Sequence, residues 1–221
     1  MNTPTRPLML GVVLYPGFEL LDVFGPLEMF NSIGRDRLIT HIVAQQAGPV
    51  AAGTVADGPV GPRVIAEFGF DAAPPLDLLL IPGGIGTFAE LENAALMTFL
   101  RERSAAAQIT MSVCTGSALL ARAGVLDGRR ATSNKQFFSL ATAQNDKVQW
   151  IAAARWVDDG AVVTSSGVSA GIDMALAVIA RLFGAPAADA VAVGTEYTWH
   201  RDADVDPFVE HLNKMGAPTP A

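Results

Sequence analysis

One residue stands in a setting that could do covalent chemistry. Cys114, the only cysteine of the chain, sits at the centre of Ser112-Val113-Cys114-Thr115-Gly116-Ser117. A strand-like stretch, Gln108 to Val113, precedes it, and helical periodicity follows over Thr115 to Ala123, with Gly124 placed to end the helix. A nucleophile on a sharp strand-to-helix turn is held in a strained backbone conformation that lifts its side chain out of the sheet. Small neighbours allow the two backbones to approach. The start of the next helix offers its positive end and unpaired N–H groups, and both effects are expected to lower the thiol pKa. A lone cysteine is ordinarily a small buried hydrophobe; the turn is what argues for a reactive one. A single cysteine also excludes an intramolecular disulfide and a multi-cysteine metal site.

Few other residues compete. Pro82-Gly83-Gly84 stops an apolar run, Leu76 to Ile81. Glycine there lets backbone N–H groups approach a ligand, so the Gly84 and Thr115 amides are candidates for holding negative charge. The same tripeptide serves equally as a tight strand exit. The three histidines, His41, His200 and His211, have no connection to Cys114 in the sequence. A Cys–His dyad, which a cysteine protease needs to attack an amide, is therefore unsupported. Glu19 and Glu28 read as exposed helix positions, Asp173 as a residue that caps or binds locally, and Trp150, Trp156 and Trp199 as core or subunit-contact residues.

The elements that must position Cys114 follow from periodicity. Leu8 to Leu14 is continuously apolar, as expected of a strand buried on both faces. Phe18 to Phe30 has helical spacing interrupted at Gly25-Pro26, which predicts a short helix and a second one starting near Pro26. Further strands are expected at Leu38 to Ala44 and Leu76 to Ile81, and loops with short extended pieces over Ala47 to Pro62. Thr87 to Ala107 reads as one helix. Val148 to Trp150 and Arg155 to Thr164 read as a hairpin or a strand pair, with Asp158-Asp159-Gly160 as a turn. Helices follow at Val168 to Phe183 and Ala187 to Trp199. Strands alternating with helices imply an α/β domain with a mainly parallel sheet covered on both faces, and ligands in such folds bind at the carboxyl ends of strands. Residues 1–200 form one expected domain and 201–221 a polar C-terminal tail.

Composition narrows the function classes. The chain has 221 residues, enough for a single large-core domain, and half of them are hydrophobic. The formal net charge of −7, with scattered Lys and Arg, argues against nucleic-acid binding through phosphate neutralisation. No apolar run reaches membrane-spanning length, and the first residues lack a secretion signal, so a cytoplasmic protein without membrane contact is expected.

Several separated motifs resemble the ThiJ/PfpI superfamily. They are the stretch from Tyr15-Pro16-Gly17 through Leu21-Asp22-Val23-Phe24-Gly25-Pro26, then Ile81-Pro82-Gly83-Gly84, Val113-Cys114-Thr115-Gly116, Leu126-Asp127-Gly128-Arg129-Arg130-Ala131-Thr132, and Gly167-Val168-Ser169-Ala170-Gly171-Ile172-Asp173. The subgroup is similar to isonitrile hydratases and to sensor domains of AraC-type regulators. The resemblance implies a flavodoxin-like three-layer sandwich, a homodimer, no cofactor, no metal, and a small-molecule substrate. It makes Cys114 the nucleophile and Asp22 its acidic partner, with Thr115 assisting and Gly83 and Gly84 beside the substrate. A carboxyl beside a thiolate should titrate high, coupled to the sulfur. In much of the subgroup a His follows the Ala-Thr-Thr segment. Here the chain reads Ala131-Thr132-Ser133-Asn134-Lys135, and Asn134 can orient a ligand but cannot act as a base. The implied reaction is hydration of an isocyanide to an N-substituted formamide. A non-enzymatic small-molecule or oxidant sensor built on Cys114 is the alternative.

Overall fold

The computed structural model describes residues 6–53 and 61–214. In chain order the first half holds β1 (Leu8–Val13), α1 (Leu20–Asn31), β2 (Leu38–Ala44), β3 (Gly48–Ala51), β4 (Arg63–Ala66), β5 (Phe68–Gly69), β6 (Leu78–Ile81), α2 (Thr87–Glu90) and α3 (Ala94–Ala106). The second half holds β7 (Ile109–Ser112), α4 (Gly116–Arg122), β8 (Arg130–Ala131), α5 (Phe138–Thr142), β9 (Gln149–Trp150), β10 (Trp156–Asp159), β11 (Val162–Ser165), α6 (Ala170–Phe183) and α7 (Ala185–Gly194).

Seven strands make one sheet in the order β10-β11-β7-β6-β1-β2-β5. Every neighbouring pair is parallel except β10–β11. This is the mainly parallel, helix-flanked sheet of a flavodoxin-like α/β fold. The central strands are apolar on both faces because helices cover both; β6, Leu78-Leu79-Leu80-Ile81, is fully buried. Among the described residues no helix is long and apolar enough to cross a membrane.

Three sequence expectations give way to packing. Pro26 does not divide α1, which runs unbroken from Leu20 to Asn31. Its buried face repeats at three and four residues: Asp22, Gly25, Pro26, Met29 and Phe30. The face presses on α6, where a Cβ at Gly25 would lie 2.8 Å from Ile172 and one at Gly171 would lie 3.1 Å from the Pro26 ring. That close contact outweighs the backbone bond Pro26 cannot donate. The predicted helix over Thr87 to Ala107 is instead α2 and α3, because the Asn93 side chain accepts from Leu96 N and starts α3 afresh.

The third concerns the C-terminus. Residues 201–214 are not a free tail but a strap laid against the domain, while 215–221 lie outside the described residues. Arg155 N donates to Ala203 O at 2.8 Å, Asp206 N to Ala153 O at 2.8 Å, and Asn213 N to Lys135 O at 2.8 Å. The buried Asp206 carboxylate lies 3.5 Å from Lys135 Nζ and 3.6 Å from the Arg155 guanidinium. Burial brings the Lys135 ammonium down to about 8 against the pull of Asp206.

Candidate active site

Cys114 follows β7 and Val113 and adopts φ +58°, the left-handed region that an L side chain enters at a cost of about 1–3 kcal/mol. Its neighbours hold it there. Cys114 N donates to Ser166 O at 3.0 Å, and Cys114 O accepts from Ser117 Oγ at 3.1 Å and Ser133 Oγ at 3.2 Å. The β6 exit presses on the turn: a Cβ at Gly83 would sit 2.5 Å from Thr115 N and 2.9 Å from Cys114 Cβ. Glycine is needed there for space. Gly83→Ala should therefore displace the turn, destabilise the fold by about 1–3 kcal/mol and reduce activity; thermal unfolding and steady-state kinetics would read both.

Three donors surround the sulfur. Asn134 Nδ2 donates to Cys114 Sγ at 3.1 Å, and the backbone amides of Thr115 and Val168 also donate to it. The Asn134 amide is oriented by Phe137 N, which donates to Oδ1 at 3.1 Å and so turns the NH2 group to the sulfur. Asp22 supplies the acid. It is fully buried on α1, and Oδ2 accepts from Gly83 N at 2.7 Å, while Oδ1 has no hydrogen-bond partner among the described residues.

The electrostatics differ from the expectation for the thiol. Burial, at 6 % exposure, pushes the Cys114 thiol up, and the Asp22 charge adds to the rise; the three N–H donors oppose it. The helix that follows, α4, is seven residues long. Asp22 is raised well above the usual carboxylate range, first by burial and then by Glu19; the Gly83 amide and Cys114 oppose this. The two groups form one coupled pair. Once Asp22 carries a proton, its charge no longer raises the thiol, and only burial stands against the three donors.

A hydroxyl chain supports the turn. Tyr15 donates to Pro82 O at 2.8 Å and lies 3.0 Å from Thr87 Oγ1, which lies 2.9 Å from Thr115 Oγ1. Thr115 Oγ1 in turn accepts from Gly84 N at 3.1 Å. Read from Gly84, each hydroxyl accepts from one side and donates to the other, ending on the Pro82 carbonyl. The Gly84 amide is thus occupied by Thr115, and the Gly83 amide by Asp22; both glycines position the acid and the turn. The N–H groups aimed at the sulfur belong to Thr115, Val168 and Asn134.

Tyr15, Val168 and Glu19 lie around Cys114 and Asp22 without having been read as site residues from the sequence. Val168, a β-branched residue at φ +41°, is strained like Cys114. The Gly167 preceding it was the available signal: a Cβ there would lie 2.7 Å from Asn134 Nδ2. Glu19 is half-buried rather than exposed. Asp173, in the first turn of α6, pairs with Arg155 at 2.7 Å. His41 pairs with Glu67 at 2.8 Å, and His200 contacts Val205 O at 3.1 Å. His211 lines a cleft together with Asn134 and Val168. A larger cleft, about 480 Å³, is lined by Tyr15 but not by Cys114. Among the described residues no three His, Cys, Asp or Glu side chains converge as metal ligands would.

Known proteins resemble this chain to differing extents. The DJ-1/PfpI family model matches residues 10–181. An isonitrile hydratase of Pseudomonas putida is 32% identical over 96% of this chain and 91% of its own length. The HTH-type transcriptional regulator CdhR of Pseudomonas aeruginosa is 28% identical over 78% of this chain, which spans half of that regulator. The crystal structure of a ThiJ/PfpI family protein from Pseudomonas syringae superposes with a TM-score of 0.76 at 31% identity, covering 93% of this chain and 79% of that one. The chain belongs to the DJ-1/PfpI family, in its isonitrile hydratase-like subgroup.

Proposed function

We propose that this protein hydrates an isocyanide to an N-substituted formamide, with Cys114 as nucleophile and Asp22 as acid and base. The observation that carries this reading is the buried Asp22 carboxyl, raised well above its usual range and coupled to the one thiol. An isocyanide carbon attacked by sulfur must gain a proton, and a carboxyl that holds one beside the sulfur can give it.

The steps balance with water as the only co-reactant. As Sγ bonds to the terminal carbon, Asp22 gives its proton to that carbon and takes the Cys114 proton in its place, leaving a thioimidate on Cys114 and Asp22 protonated again. Water adds to the carbon, its proton passes to Asp22 and on to the nitrogen, and the C–S bond breaks. The remaining hydroxyl proton returns through Asp22 to sulfur as the formamide leaves. The Asn134, Thr115 and Val168 N–H groups stabilise sulfur while it carries charge. Asn134 takes the donor part here, which needs no base. A small-molecule substrate and a homodimer belong to this reading; light scattering would check the latter.

Two observations weigh against the oxidant-sensor alternative. Cys114 is buried, and its pKa is raised, whereas sensor thiols are exposed and acidic. Ultraviolet detection of formamide from an aryl isocyanide, with wild type and Cys114→Ala in parallel, tests the proposal. Turnover by wild type alone is expected; no turnover by wild type, or equal turnover by both, overturns it.

Asn134→Ala removes one N–H from the sulfur. The thiol pKa should rise further, because this donor favours the charged form. Iodoacetamide labelling of Cys114 should shift to higher pH, and kcat/KM should fall about tenfold, the scale of a lost hydrogen bond to a charged group.

A further inference from the structure

Every polar backbone group from Pro82 O to Gly84 O is engaged. Gly83 N donates to Asp22 Oδ2 at 2.7 Å, Gly83 O accepts from Glu19 N at 2.8 Å, and Gly84 O accepts from Thr87 N at 3.1 Å. Gly84 N donates to Thr115 Oγ1 at 3.1 Å, and Pro82 O accepts from Tyr15 OH at 2.8 Å. Pro82 O and Gly83 N belong to one planar trans peptide. Tyr15 holds that plane by its oxygen, and Asp22 takes the N–H on its other side. A turn of the plane that releases Tyr15 also moves the amide off the acid.

Tyr15, Thr87 and Thr115 are all buried. A carbonyl only accepts and an amide N–H only donates. The three hydroxyl protons between Gly84 N and Pro82 O therefore have one arrangement that makes every link, and in it Tyr15 donates to Pro82 O. Burial holds the Tyr15 phenol well above its usual value, so it keeps that proton. We propose that Tyr15 is a positioning residue of the reaction: its hydroxyl, backed by Thr87, fixes the Pro82–Gly83 peptide plane, aims the Gly83 amide at Asp22 and so holds the acid in place beside Cys114. This rests on the hydratase reading for the proton's destination.

Tyr15→Phe keeps the ring and removes the donor. Its kcat for phenyl isocyanide should fall about tenfold, part of the roughly 10²-fold that a 1 Å misplacement costs, with KM little changed. The Gly83 bond favours the Asp22 carboxylate, so loosening it raises Asp22 further. The alkaline limb of kcat/KM, where the acid loses its proton, should then move to higher pH. The charged and titratable groups facing Asp22, Glu19 on α1 and Cys114 on the turn, are the same in the variant, and Tyr15 is uncharged in wild type. Thr87→Val breaks the chain in its middle with Tyr15 intact; it should move the limb the same way by less, and Thr87→Ser should match wild type. A lowered melting temperature with kcat and the limb unchanged in both Tyr15→Phe and Thr87→Val would make Tyr15 a packing residue and overturn the proposal. If wild type forms no formamide, the hydratase reading fails, and the clamp is tested without turnover. Infrared spectra then follow the protonated-carboxyl band that Asp22→Asn lacks. Loss of that band at a higher pH in Tyr15→Phe than in wild type supports the clamp; loss at the same pH, or no such band in wild type, overturns it.

Discussion

Asp22→Asn is expected to lower formamide production by about 10²–10⁴-fold, the range for loss of a positioned acid–base group. Asn fills the same space on the buried face of α1, and its oxygen can still accept from Gly83 N. It cannot carry the proton that the isocyanide carbon requires. The same change should stabilise the fold at alkaline pH. The folded-state pKa of Asp22 is raised above the unfolded value of about 3.9. The stability this group contributes is therefore full below the unfolded pKa and is lost as pH rises through the folded one. The melting temperatures of wild type and Asp22→Asn should accordingly move apart as pH rises from about 4 into the alkaline range, with the variant the more stable at the alkaline end. A chain of this size shifts by roughly 2–4 °C per kcal/mol. Activity lost and stability gained in one variant is the signature of a strained catalytic group. Parallel melting curves across that pH range would contradict the buried-acid account.

Arg155→Ala has the largest expected effect on stability. Arg155 is 5 % exposed, and its guanidinium lies 2.7 Å from Asp173 and 3.6 Å from Asp206, both buried. Without it Asp173 keeps only Tyr197 OH at 3.0 Å and His200 N at 2.9 Å, and Asp206 keeps Lys135. Removing one partner of such a cluster costs about 3–5 kcal/mol because a charge is left buried without compensation. That corresponds to a fall of roughly 10 °C in Tm. The main chain of Arg155 also ties the strap to the site: its N–H donates to Ala203 O, its carbonyl accepts from Ser166 N, and Ser166 O accepts from Cys114 N. Hydrogen exchange should therefore rise at Ala203, Asp206 and Cys114 together. Arg155→Lys keeps the charge without the planar fork and should fall between. A melting point within 1–2 °C of wild type would contradict this reading of the cluster.

The parts of the fold legible in the sequence were those set by local pattern. The buried strands showed as continuous apolar runs, and the small residues around Cys114 announced a turn at a strand end. What was not legible depended on contacts between distant segments. Pro26 looked like a helix break, yet Gly25 and Gly171 bring α1 and α6 close enough to hold the helix together. Residues 201–214 looked like a tail because their polarity masks one buried aspartate, Asp206, whose partners Lys135 and Arg155 lie more than fifty residues away. The cleft that His211 shares with Asn134 and Val168 was hidden for the same reason. At the site, Cys114 and Asp22 stood in motifs, whereas the thiol's environment depended on burial, which the neighbouring residues do not reveal. Burial and the Asp22 charge, which raise the thiol, come from segments distant in the chain.

The most direct measurement of the central claim is acid-quenched intact mass of the wild-type protein during turnover of phenyl isocyanide. The account predicts one adduct per chain, with the mass of the isocyanide, mapped by peptide digestion to Cys114 and absent from Cys114→Ser. Formamide accumulating with no adduct on Cys114, and still produced by Cys114→Ser, would contradict it.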